Sequence, residues 1–464
     1  MQHKQVWCST GWKRSGTGVR ECLNIAAASQ SIRVAIMNRF GKFMLLLVLA
    51  FVAFQCVAIS TFLTNPLSLL YSVVVVPTRQ AVNCSPEALS YTSSAPAFPP
   101  PTNDSNVRTH ILILATTRCG SSFIGQLLNQ HPEVFYLFEP LFHVHSMLRP
   151  HLEQSRDLDW RKTLMGAARD LLRSLYHCHL SSLENYIQPY PTNHSTDHLF
   201  RRGASQSLCS PPVCKVPQGP DEQSLVLNDE RECKKRCGPL SMPLASDACR
   251  AKRHTAIKTV RIPQISDLRT LIEDPTLNLK VIQLVRDPRG ILASRIEAFR
   301  DSYRLWRLWR ATGRRPANLD LGQIHTLCED VLKSVSIGLS RPHWLRGRYM
   351  LLRYEDMARF PLKKTKELYR FLGLDLDQSV KDWINNNTHD SSGVSSRRKF
   401  TTIRDSAANA ENWKMKLSFD MVVYVQTVCK PLLERLGYKA VFHSRELKNF
   451  SHSLVEDRIF LPFF

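Results

Sequence analysis

Apolar residues along this chain fall into runs of three kinds. Phe43–Leu63 is a 21-residue run without a charge, long enough to cross a bilayer as a helix. Further on, short runs rich in aliphatic and β-branched residues predict buried strands at Ile111–Ala115, Leu279–Val285 and Tyr349–Arg353, with another over Thr255–Ile262. Between them the period becomes helical. Phe123, Ile124, Leu127 and Leu128 share a face after Ser121, and Leu164, Ala168, Leu171, Leu172 and Leu175 share one in Thr163–Tyr176. Pro361–Leu372 reads as a helix with proline at its start. Strands alternating with helices predict an α/β fold with a mostly parallel, doubly wound sheet, and ligands at the carboxyl ends of its strands.

Two segments carry neither period. Residues 64–107 hold Pro86, Pro96, Pro99, Pro100 and Pro101 among Ser, Thr and Asn, which predicts an extended stem. Residues 178–250 are Cys-rich, Pro-rich and irregular, and read as a disulfide-stapled insertion. Leu67–Val76 is a further apolar run, too short to span a membrane, for which the pattern offers no role.

Charge orients the apolar span. Residues 1–42 carry seven Lys/Arg against one Glu, with Arg39 and Lys42 at the membrane edge. By the positive-inside rule that end stays cytoplasmic and the rest is luminal. A cleaved signal peptide is the rival, but the run is longer than an ordinary h-region and no small-x-small site follows it. Met1 and Met37 are both open as the working start, and from Met37 the tail would be about six residues that still carry Arg39 and Lys42. Asn83, Asn103, Asn193, Asn386 and Asn449 head N-x-Ser/Thr sequons. Six cysteines between Cys178 and Cys249 suit disulfides in an oxidising lumen, and their spacing is wrong for zinc. The net charge is +22, of which residues 1–42 supply +6 (seven minus one), leaving +16 beyond them. That excess favours an anionic partner, and for a membrane-anchored luminal domain an acidic glycan fits better than nucleic acid.

Candidate chemistry sits in two strand–loop–helix units. In HILILATTRCGSSF (residues 110–123) a strand gives way to a polar loop and then to a helix N-terminus, where backbone N–H groups and the helix dipole converge on an anion. Arg118 adds a planar, permanently charged fork. The loop lacks GxGxxG and the Gly-Lys-[Ser/Thr] ending, so the usual NAD and ATP readings fit badly. LKVIQLVRDPRGILASR (279–295) repeats the pattern, with Arg286, Ser294 and Arg295 at the same edge. Two such units suit a ligand with two separate anionic groups. Arg300, Arg304, Arg307, Arg310 and Arg314 fall on about a third of a helix circumference beside Phe299, Tyr303, Trp306 and Trp309. That is either an arginine stripe and sugar-stacking rings for an acidic glycan, or a solvated charged face with its aromatics in the core.

From about residue 108 to the C-terminus the chain resembles the Golgi carbohydrate 6-O-sulfotransferases. LATTRCGSSFIGQLLNQHPEVFYLFEPLFHV, HTAIKTVRIP and LVRDPRGILASR are similar to their keratan sulfate galactose 6-sulfotransferase branch. The resemblance implies sulfuryl transfer from 3'-phosphoadenosine 5'-phosphosulfate (PAPS) to a sugar 6-hydroxyl, with no metal required. It implies a 5'-phosphosulfate loop at Thr117, Arg118, Cys119, Gly120, Ser121, Ser122 and Phe123. The 3'-phosphate motif would be Arg286, Asp287, Pro288, Arg289, Gly290, Ile291, Leu292, Ala293 and Ser294. Cys119 stands where relatives carry serine, and a thiol is the weaker donor. Glu139 is the expected general base, made more basic by apolar neighbours. His143 is the next candidate, and Lys258 would stabilise the phosphate or simply be a strand-end cation. Arg404–Lys414 is similar to a loop that covers the donor.

The expected whole is α/β: a single-pass N-terminal transmembrane helix plus a luminal, P-loop-like, doubly wound parallel-sheet sulfotransferase domain. It divides into a cytoplasmic tail (1–42), anchor (43–63), stem (64–107) and sulfotransferase domain (108–464). Its place would be the Golgi membrane, type II, acting on keratan sulfate or lactosamine chains, with homo-oligomers left open. 6-O-sulfation of N-acetylglucosamine or N-acetylgalactosamine, a nucleotide-dependent kinase and a non-catalytic Golgi glycan-binding protein are the alternatives.

Overall fold

The computed structural model describes residues 108–154, 159–214, 230–388 and 406–463, all in one compact unit. The expected tail with Met1 and Met37, the apolar span, the stem and Leu67–Val76, with Asn83 and Asn103, lie outside the described residues. Among the described residues no helix is long and apolar enough to cross a membrane.

Strands form at β1 (His110–Ala115), β2 (Val134–Phe138), β3 (Ser195–Thr196), β4 (Leu240–Ser241), β5 (His254–Thr259), β6 (Leu279–Val285) and β7 (Tyr349–Arg353). Five of them make one sheet in the order β2-β5-β1-β6-β7, with every neighbouring pair parallel. A parallel sheet needs cover on both faces, and alternation along β1 provides for it. Leu112 and Leu114 enter the larger core with Leu137, Ile257 and Val281, whereas Ile111 and Ile113 enter the second core with Tyr136, Ile282 and Leu352. The predicted strand over Thr255–Ile262 starts one residue earlier and stops at Thr259, just before Arg261 and Pro263.

The helices follow the apolar period. Ser121–Asn129 buries Ile124, Leu127 and Leu128, Trp160–Tyr176 buries all five predicted positions, and Pro361–Leu372 has the predicted ends. The insertion is stapled as expected, by Cys178–Cys249, Cys209–Cys233 and Cys214–Cys237. It is more regular than its composition implies, holding helices at Glu230–Cys237 and Met242–Ala251 and the small β3–β4 sheet. A fourth disulfide, Cys328–Cys429, ties the helix Gly322–Leu339 to the residue that follows Phe419–Val428.

Candidate active site

All five strands of the main sheet end at one cavity of about 380 Å³. Residues 117–123 follow β1, Glu139 follows β2, Lys258 is near the end of β5, Arg286 follows β6 and Tyr354 follows β7. Parallel register sets the pairs: Phe138 stands opposite Lys258 and Val285 opposite Arg353. Glu139 therefore meets Lys258, and Arg286 meets Tyr354. Among the described residues five cations line the cavity (Arg118, Arg201, Lys258, Arg261 and Arg286) against one carboxylate, Glu139. Such a cavity favours a ligand with several negative charges.

The first loop is built around an open helix end. Gly120 caps Ser121–Asn129 in the left-handed region (φ 93°), and no side chain caps that helix. Its leading N–H groups stand ahead of the helical ladder and remain available to an anion. Glycine is needed at 120 because a Cβ there would lie 2.2 Å from the Tyr354 ring. That ring stacks on the Arg286 guanidinium at 4.4 Å and accepts a hydrogen bond at its hydroxyl from Asn409.

The second unit grips the first. Arg286 Nη1 donates to the Arg118 carbonyl at 3.0 Å, and Arg295 Nε donates to the Thr117 carbonyl at 3.2 Å. In return Arg118 Nε donates to Ser294 Oγ at 3.0 Å. Arg118 has φ 72° and Glu139 φ 53°. Left-handed backbone in non-glycine residues costs about 1–3 kcal/mol each, and such conformations collect at functional sites.

Glu139 is buried on the opposite wall. Its Oε1 accepts from Lys258 Nζ at 2.5 Å, its Oε2 from the Val260 N–H at 3.3 Å, and Arg261 Nε lies 3.8 Å from Oε2. Burial pushes the Lys258 ammonium down, while the Glu139 carboxylate works against that shift. Phe142 and Phe200 stack at 4.0 Å beside this pair, with Arg261 over one ring and Arg201 over the other. Among the described residues no cluster of His, Cys, Asp and Glu could hold a metal ion.

Residues 108–437 match the sulfotransferase domain family. The chain is 57% identical over 424 residues to Carbohydrate sulfotransferase 1 of Danio rerio, covering 91% of this chain and 99% of that protein. It is 53% identical over 422 residues to Carbohydrate sulfotransferase 1 of Homo sapiens, covering 91% and 98%. Carbohydrate sulfotransferase 3 of Homo sapiens is 42% identical over 365 residues, covering 76% and 71%. The chain belongs to the carbohydrate sulfotransferases.

Within this carbohydrate sulfotransferase the sequence-derived residues divide sharply. Thr117, Arg118, Gly120, Ser121, Ser122 and Phe123 line the cavity, as do Glu139, Lys258, Arg286 and Ser294. Cys119 does not. Its buried thiol donates to the Leu284 carbonyl at 3.1 Å, and burial pushes it up to about 12. The thiol therefore packs against the sheet and does not face the cavity.

Most of the second motif also faces inward. Asp287 caps the helix Pro288–Ala298 by accepting from the Arg289 N–H. Arg289 is fully buried, bound to Asp287, Gln426 and the Lys439 carbonyl, and stacked on Trp413. Ile291, Leu292 and Ala293 belong to the larger core. Gly290 leaves room for Arg286, whose Nε would lie 3.1 Å from a Cβ there. From Asp287 to Ala293 this motif is thus support for Arg286 and Ser294 rather than a ligand-facing surface.

His143 lies behind the Phe142 ring, outside the cavity wall. Its Nε2 accepts from the Phe200 N–H at 3.1 Å, and burial pushes it down to about 4. The lone pair a general base needs is already engaged. Besides apolar residues, two cations, Lys258 and Arg261, adjoin Glu139. Trp306 and Trp309 are buried against Tyr424, which excludes them as sugar-stacking rings, while Phe299 does line the cavity.

Sequence reasoning missed Arg201, Arg261 and Tyr354. Arg261 sits within the quoted HTAIKTVRIP, three residues after Lys258, so a signal existed. Arg201 and Phe200 arrive from the Cys-rich insertion, which composition alone marks as a staple. Asn409 comes from the expected Arg404–Lys414 covering segment, whose described part is the helix Ser406–Ala410 and the turn Asn412–Met415.

Proposed function

We propose that this carbohydrate sulfotransferase transfers the sulfuryl group of PAPS to the 6-hydroxyl of galactose in keratan sulfate or related lactosamine chains. The observation that carries the reading is the division of one cavity into two walls. The Arg118–Ser294–Arg286 group, with its open helix end, suits a donor with phosphates at two positions. The Glu139–Lys258 pair beneath stacked aromatic rings suits a sugar hydroxyl.

In this reading PAPS supplies the activated sulfuryl group. The sugar O6 attacks sulfur in line, Glu139 takes the hydroxyl proton, and the bond from sulfur to the 5'-phosphate oxygen breaks to leave 3',5'-ADP. Residues 117–123 and Arg118 stabilise charge developing on the 5'-phosphate. Arg286 and Ser294 hold the 3'-phosphate. Lys258 fixes the Glu139 carboxylate in the cavity. Galactose and keratan sulfate rest on the resemblance of TTRCGSSF, RDPRGILAS and their flanks.

Anchorage in the Golgi membrane through Phe43–Leu63, with residues 64–464 luminal, belongs to the same proposal. Four disulfides suit an oxidising lumen, and Asn193, Asn386 and Asn449 are exposed. The test is transfer of radiolabelled sulfate from PAPS to a panel of lactosamine, galactose, N-acetylglucosamine and N-acetylgalactosamine acceptors, with the sulfated position mapped. Label at galactose O6 is expected. Label on either amino sugar alone replaces the acceptor, and no transfer to any sugar overturns the reading.

A further inference from the structure

Phe299 closes one side of the cavity, and the chain then turns directly into the helix Arg304–Thr312. Trp306 and Trp309 bury the inner face of that helix and stack on each other at 5.6 Å against Tyr424. On its outer side Arg304 and Arg307 are exposed, with Arg310 half-buried, and Arg300 and Arg314, just before and just after the helix, are exposed as well. Among the described residues none of these five guanidinium groups forms an ion pair or hydrogen bond.

Unpaired arginines occur elsewhere on the surface, as Arg315, Arg341, Arg370 and Arg445 show among the described residues, but there they do not line up beside the cavity. Arg250, Arg269 and Arg458, also exposed, each pair with a carboxylate. The nearby Glu297 is taken by Lys416. Like charges three and four residues apart repel along a helix, so the stripe costs stability that the aromatic face must offset. A row of unneutralised guanidinium forks suits sulfate groups, which accept two parallel N–H bonds.

We propose that this arginine face is a track for the already sulfated stretch of the acceptor chain, binding it as it leaves the cavity past Phe299. The inference rests on the acceptor being a sulfated glycan and adds a second binding surface to that reading. The track lengthens the contact with a polymer without touching the reacting sugar. It therefore discriminates by chain length and charge rather than by sugar identity. The polymer is favoured over an anionic membrane because the stripe begins at the cavity wall and the large aromatics of its helix are buried.

The test is the triple variant Arg304→Ala, Arg307→Ala, Arg314→Ala in the full chain, all three positions being exposed. The KM for keratan sulfate polymer should rise about eightfold, three exposed ionic contacts at roughly a factor of two each. Its kcat, and the KM for an uncharged lactosamine disaccharide, should not change. Calorimetric binding of the polymer without PAPS should weaken by the same factor and lose much of its salt dependence. An unchanged KM for the polymer overturns the proposal, as does an equal rise for polymer and disaccharide. Loss of binding to phosphatidylserine vesicles with undiminished polymer binding assigns the stripe to a membrane and also overturns it. Polymer binding that weakens in the variant of a protein transferring sulfate to no sugar leaves the track standing and removes the proposed activity.

Discussion

Lys258 Nζ lies 2.5 Å from Glu139 Oε1, and the two side chains are 5% and 4% exposed. The residues are 119 apart in sequence, joined because β2 and β5 pair in register. A buried ion pair contributes little net stability, but removing one partner strands a charge in the interior. Lys258→Met should therefore lose about 3–5 kcal/mol of stability. The double variant Glu139→Gln, Lys258→Met should recover much of it. Urea unfolding of both variants measures this, and equal losses would show that the two groups do not act as a pair.

Glu139→Gln keeps the shape and removes the proton acceptor. Turnover should fall on the order of 10²–10⁴-fold while PAPS binding is largely kept. His143→Ala, whose acceptor nitrogen already serves the Phe200 N–H, should lose stability and retain most of its specific activity. Single-turnover rates on folded protein decide between them. A collapse in His143→Ala with an active Glu139→Gln would make the histidine the base.

The hydrogen bonds between Arg118, Ser294 and Arg286 imply a graded series. Arg118→Ala should weaken donor use by about 1.5–3 kcal/mol, the worth of a charged hydrogen bond, and Ser294→Ala by less. Arg286→Ala should weaken 3',5'-ADP but hardly affect a donor fragment lacking the 3'-phosphate. Calorimetry with the two ligands separates these effects. Equal loss for both ligands would remove the 3'-phosphate assignment.

Two sets of buried groups oppose each other in pH. Glu355 accepts from the Asp287 N–H and the Tyr438 hydroxyl, and burial and Asp287 push it up from 4.5 to about 7. The fold holds its proton more tightly than the unfolded chain, so its contribution, on the order of 3 kcal/mol, is present below about 4.5 and lost as pH rises through about 7. His110, His143, His145 and His254 are pushed from 6.5 to about 4 by burial. Their contribution is present above about 6.5 and lost as pH falls toward about 4. Urea midpoints from pH 4 to 8 should show acid destabilisation in both wild type and Glu355→Gln. Their difference should run in the opposite direction, and parallel curves would refute the role of Glu355.

Eight cysteines, from Cys178 to Cys429, should resist alkylation in unfolded, unreduced protein, whereas Cys119 should react only after unfolding. Peptide mapping checks both. Reduction of Cys178–Cys249 should cost about 2–5 kcal/mol.

Much of this protein was legible along the chain, and the reason is local. Strands buried on both faces must be continuously apolar, so β1, β6 and β7 announce themselves. A strand giving way to Thr-Thr-Arg-Cys-Gly-Ser-Ser marks an open helix end wherever it folds. What remained was settled by contacts between distant segments. Arg286 and Arg289 are three residues apart in one motif, yet one reaches the cavity and the other is claimed by Asp287, Gln426, Lys439 and Trp413. Trp306 and Trp309 became core because Tyr424 packs against them. Arg201 entered the site because the stapled insertion folds over β2. A side chain's period fixes which side of its own element it occupies, but only the packing of elements far apart in sequence decides whether that side meets water, core or ligand.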